Sequence, residues 1–184
     1  MNAKSFLTEY KPQSMMQRLD NVKSLPDVWK AKTPSLARMR KQYGERLPVD
    51  YLTLWILAIN DMVNVGNKMT AFQMEYTAKL VFKENPLLTI ADIKFVFDRA
   101  VSGSFGELYN RLDSAMICTW FRKHWVERLE AAEQHSQEKH YNTVEKGGER
   151  THDAEKAKIK AAQLHYLQQK QRKDEKHETN QAGG

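Results

Sequence analysis

The chain has one cysteine, eight glycines and five prolines among 184 residues, and each scarcity excludes something. The lone thiol of Cys118 cannot close an internal disulfide, so a small secreted disulfide scaffold is ruled out and a reducing, cytoplasmic setting is expected. Glycine and proline are too few for a collagen-like or low-complexity chain. The longest unbroken apolar run, 54–59, is far short of the roughly 20 residues that cross a bilayer. The opening segment MNAKSFLTEYKPQ has no apolar signal core. Also missing are Gly-x-Ser-x-Gly, a Walker loop and Gly-x-Gly-x-x-Gly, so neither an enzymatic activity nor a cofactor is expected.

What is present is an uneven distribution of charge. Residues 1–50 carry ten Lys and Arg against five Asp and Glu, a net of +5; residues 51–130 balance nine against nine; residues 131–184 carry ten against nine. Most large apolar side chains fall in the neutral middle. Three zones follow: a basic N-terminal helical arm (1–47), a helical core domain (48–132) and a charged, flexible C-terminal extension (133–184). The expected class is all-α, a compact helical bundle head with a long, partly disordered charged C-terminal helix or tail.

The middle zone is punctuated like a series of helices. After Pro48, Leu52, Trp55, Ile56, Ile59 and Val63 recur at helical spacing, with Gly66 placed to end the helix. Thr70 and Gln73 have the spacing of a capping box, and Phe72, Tyr76 and Leu80 line one face of the helix that follows, up to Asn85-Pro86. Thr89 and Asp92 repeat the start signal, and Ile93, Val96, Phe97 and Ala100 form a buried stripe. Gly103 and Gly106 mark a turn that tucks in Phe105. Asp113 caps a last helix whose apolar face is Met116, Ile117, Trp120, Phe121 and Trp125. In the first zone, 14–23 reads as a helix, and Thr33-Pro34 reads as an N-cap and first-turn proline for a helix ending at Gly44.

Candidate chemistry is sparse. His135 and His140 are five apart and face differently on a helix. Glu149 and His152 have a di-iron spacing, but only one such pair exists, so no metal is expected. Cys118 reads as a buried, inert thiol. Gly103 to Gly106 has the Gly-x-x-Gly spacing of a nucleic-acid clamp without its strands or basic residues. More substantial are the basic residues Arg38, Arg40, Lys41 and Arg46, and Arg122, Lys123 and Arg128, which could contact DNA phosphates. In the extension, Ile159, Leu164 and Leu167 would contact a protein partner, and 147–184 would be dispensable for folding.

The segment 88–128 carries a distinctive pattern: Leu88-Thr89, Asp92-Ile93, Phe95 and Phe97, Gly103 to Gly106, Tyr109, Asp113, Trp120 and Glu127-Arg128. With the preceding helix, from about Thr70 to Glu130, it resembles a family of small helical proteins of bacteriophages and mobile elements of gut Bacteroidetes. The outline of helical head and charged tail is also similar, by architecture alone, to phage helicase loader/inhibitor proteins. Taken with the missing catalytic motifs and an extension poor in large apolar residues, the resemblance leads us to expect a non-enzymatic helical accessory or adaptor protein of phage or mobile-element DNA replication, acting by protein contact in the cytoplasm of a bacterial host. The partner could be a replication protein such as a helicase. The alternative is a DNA-binding protein or regulator that uses the basic N-terminal surface and the helix 114–130.

Overall fold

The computed structural model describes residues 2–107 and 110–137. Among them the protein is all-α, with two isolated bridges and no strand. Seven helices run in order: α1 (Ala3–Glu9), α2 (Pro12–Arg18), α3 (Leu25–Lys30), α4 (Leu36–Tyr43), α5 (Arg46–Met62), α6 (Ala71–Glu84) and α7 (Ile90–Val101). An eighth, α8, occupies 114–137. No described helix is long and apolar enough to cross a membrane. The chain divides into two units between Ala131 and Ala132; of the second, only 132–137 are described, and they are helical. Ile159, Leu164 and Leu167, like His140, Glu149 and His152, lie outside the described residues.

Residues 1–47, set apart above on charge, contribute Phe6, Met15, Val22, Val28, Leu36 and Met39 to the same core as the middle zone. α5 is the long strut of the first unit and packs on α2, α4, α6 and α7. α7 runs through the middle. Every residue from Ile90 to Phe97 is buried, including Asp92 and Lys94, as expected of a helix enclosed on all sides. An aromatic column crosses it. Trp55 of α5 stacks on Phe97, with ring centroids 5.8 Å apart, and Phe97 meets Phe121 of α8 edge-on at 5.5 Å. Trp120 is buried as expected, with Phe105 stacked on it at 6.1 Å.

Helix ends follow the local chemistry. Thr70 with Gln73 and Thr89 with Asp92 both form complete capping boxes, and Asp113 Oδ1 accepts from the Met116 amide at 2.9 Å. Gly44 ends α4 at φ +95°, and Gly103 and Gly106 turn the chain at φ +79° and +105°, a region open to glycine without steric cost.

Three expectations need correcting. Gly66 does not end α5; Val63 does, in extended backbone. Gly66 instead lies against the chain at Asn110, where an added Cβ would come within 2.3 Å of the Asn110 side-chain oxygen. The expected helix 14–23 is the shorter α2, Pro12–Arg18. Thr33 and Pro34 do not start α4, which is capped by Ser35. They serve α7, to which Thr33 Oγ1 and the Pro34 carbonyl each offer an acceptor, for the Ala91 and Ile90 amides at 3.0 and 3.1 Å. In return the Leu88 and Pro86 carbonyls accept from the Leu36 and Ala37 amides of α4 at 2.9 and 2.7 Å. Two antiparallel segments thus satisfy each other's orphan helix-start donors.

Candidate contact surfaces

α6 turns an aromatic side to solvent. Its buried residues are Met74, Thr77, Ala78 and Val81, while Phe72 is 77% and Tyr76 53% exposed. Their rings lie 15° from parallel with centroids 6.3 Å apart. The stripe expected from Phe72, Tyr76 and Leu80 exists, but it faces outward, with Leu80 half-buried at its edge. Lys79 and Lys83 continue it at i+7 and i+11 from Phe72, both exposed, so one helix face carries two aromatic rings followed by two ammonium groups. Glu75 beside them is held below the ordinary carboxylate range by the Lys79 hydrogen bond and by Arg46.

The basic residues singled out in the sequence divide into two groups. Arg40 pairs with Glu45 at 3.7 Å, and Arg46 pairs with Asp50 at 2.8 Å and Glu75 at 3.4 Å. Arg122 grips Glu84 through two guanidinium hydrogen bonds of 2.9 Å, tying α8 to the end of α6. Arg128 lies over the Trp125 ring and reaches Asp92 at 3.4 Å. These four guanidinium groups answer carboxylates within the fold. Arg38, Lys41 and Lys123 are exposed, and no ion pair holds them among the described residues.

Arg38 borders a cleft of about 360 Å³ with Lys32, Tyr10 and Tyr43 on its walls and Phe6, Pro34 and Gln42 completing it. Sequence reasoning missed Lys32 and both tyrosines here, because α1 is a short helix whose docking beside α4 has no local signature. A second cleft, of about 430 Å³, lies against α7 and is bordered by Lys94 and Asp98, Lys23 and Asp20, and the apolar Met62 and Val101. Its charges are already paired, Lys94 with Asp98 and Lys23 with Asp20.

The interior holds a polar cluster that the sequence does not advertise. His124 and Asp92 are both wholly buried, with Nε2 donating to Asp92 Oδ1 at 2.8 Å. Oδ2 of Asp92 accepts from the Thr89 amide and hydroxyl at 2.8 and 2.7 Å. Burial pushes the Asp92 carboxyl up, but the hydrogen bonds from His124 and Thr89 outweigh it and hold the group below its ordinary value. His124 Nδ1 is buried without a hydrogen-bond partner among the described residues. A histidine shut off from solvent on both nitrogens cannot exchange protons with a substrate, so this pair reads as an internal tie between α7 and α8. Burial also pushes the Cys118 thiol up, the direction of an unreactive cysteine. Among the described residues no group of three metal-ligating side chains converges.

No family model, curated protein or solved structure matches the chain.

Proposed function

We propose that the chain is a non-enzymatic accessory protein that works by contact, with the outward face of α6 as its partner-binding surface. The observation that carries this reading is the Phe72–Tyr76 pair, two stacked rings left in water on a well-capped helix. Phenylalanine gains free energy on leaving water, and rigid aromatic side chains dominate the energetics of protein interfaces. Lys79 and Lys83 would form a polar rim around these anchors, suited to a partner that presents apolar side chains edged by carboxylates. The resemblance over Thr70 to Glu130 supports reading this adaptor as one of phage or mobile-element DNA replication, in the cytoplasm of a bacterial host, with a replication protein such as a helicase as its partner.

The test is photo-crosslinking in the full chain. A photoreactive phenylalanine analogue at position 72 should give one discrete protein adduct in host cells replicating the element, and Tyr76→Ala should abolish that adduct. Diffuse labelling, or an adduct indifferent to Tyr76, would overturn the reading. A second reading, DNA binding, is favoured by the exposure of Arg38 and Lys41 on α4. Affinity resting on several phosphate contacts falls by orders of magnitude between low and moderate salt. A chain that retains no DNA even at low salt would end that alternative.

A further inference from the structure

We propose that the cleft between α1 and α4 is a binding site for a nucleotide unit, with an aromatic base against its tyrosines and a phosphate between Lys32 and Arg38. The cleft has the size of a small-ligand site, about 360 Å³, within the usual range of roughly 300–1,000 Å³. Its two charged wall residues, Lys32 and Arg38, are both cations, and no carboxylate lines it. The acids nearest in sequence are engaged elsewhere: Glu9 with Arg18 at 3.8 Å and Glu45 with Arg40 at 3.7 Å. Positive charge in the cleft is therefore left for a ligand to neutralise, and a guanidinium is well shaped for phosphate.

The aromatic wall is preorganised. Tyr10 stacks on buried Phe6 at 4.5 Å and 18°, and Tyr43 leans on the same ring at 5.2 Å. Both tyrosines are backed by the core and half-exposed, so each can offer a ring surface to a base without first being ordered. The backbone adds a separate sign. Lys32 has φ +49°, in the left-handed region just after α3, where glycine or asparagine is usual and a Cβ is penalised. A lysine kept in that conformation and lining the cleft reverses the choice that helix-capping alone would make.

No residue of α6, which carries the adaptor reading, lines this cleft, so the two fail separately. Binding of thymidine monophosphate, and of an oligothymidylate roughly 15 nucleotides long, should be measured on the full chain by titration calorimetry at low salt. Saturable binding is expected, and Arg38→Gln should weaken it at least about tenfold, the loss of one charge-assisted contact. Lys32→Gly should also weaken it while leaving the melting temperature unchanged or raised, a combination that a purely structural Lys32 would not produce. Tighter, salt-sensitive binding of the oligomer would identify single-stranded nucleic acid as the source of the nucleotide. Equal affinity for the monomer would identify a free nucleotide. The proposal is overturned if neither probe saturates or if both substitutions leave binding intact. It is equally overturned if inorganic phosphate competes as well as the nucleotide does, since the base would then contribute nothing.

Discussion

α6 and α7 are consecutive helices of similar length, each opened by a complete capping box, yet they invert the usual placement of side chains. α7 draws Asp92 and Lys94 into the interior, and α6 leaves Phe72 and Tyr76 in water. Charge inside requires partners, and α7 supplies them: Asp98 for Lys94, and His124, Thr89 and Arg128 for Asp92. Aromatic surface outside has no such internal remedy, because only another surface can remove it from water. The interior oddity is thus resolved within the fold, while the exterior one points out of the molecule.

The same substitution on the two helices should separate them most sharply. Phe97 of α7 sits between Trp55 and Phe121 and is 1% exposed. Phe97→Ala should cost about 3–5 kcal/mol in denaturant unfolding, the sum of lost transfer energy and a cavity in the aromatic column. A cost below about 1 kcal/mol would mean that α7 is not the enclosed helix described above.

Asp92→Ala comes next, at about 3 kcal/mol, because it deletes a capping partner and strands His124 and Arg128 beside an apolar methyl group. The pH dependence has a definite sign. Since the folded carboxyl lies below its ordinary value, its contribution is fully present above the unfolded value of about 3.9 and is lost as pH falls through the folded one. Wild type should lose stability below about pH 4 more steeply than Asp92→Ala. Parallel acid-unfolding curves would show that Asp92 is not held ionised by its neighbours.

Thr70→Ala should cost about 1 kcal/mol, the usual value of an N-cap. The Gln73 amide would lose its acceptor at the start of α6. Thermal unfolding would measure it, and an unchanged midpoint would mean that α6 is held by packing alone.

The legibility of these features follows from their range. The caps at Thr70, Thr89 and Asp113 were readable because each is a contact over three residues, and the stripe Ile93, Val96, Phe97 and Ala100 because periodicity is local. Periodicity reveals that Phe72, Tyr76 and Leu80 share a face but not which way it turns. That is set by α5, which packs on the Met74, Ala78 and Val81 side. Asp92 was legible as a cap but not as the partner of His124, 32 residues on. Thr33-Pro34 has the composition of a cap for α4 and caps α7 instead, because an antiparallel crossing with residues 86–91 decides its role. The basic arginines were visible as charge, but their engagement with Glu84, Glu75 and Asp92 depends on which helices meet.

The smallest expected effect on stability is the most informative for function. Phe72→Ala removes a side chain that is 77% exposed from the first turns of α6. No core contact is lost, and alanine is the better helix former, so unfolding should shift by no more than about 0.5 kcal/mol. If α6 is a contact surface, the same change should weaken partner binding by a large factor, since truncating an aromatic anchor commonly costs about 2 kcal/mol or more at an interface, some thirtyfold. Tyr76→Ala should behave alike, and the double variant should add little, because the stacked rings would act as one anchor. Stability and binding would then come apart at α6 and stay together at α7, where Phe97→Ala lowers both through the fold. A Phe72→Ala protein that loses several kcal/mol would instead place that ring in the core and remove α6 as a candidate surface.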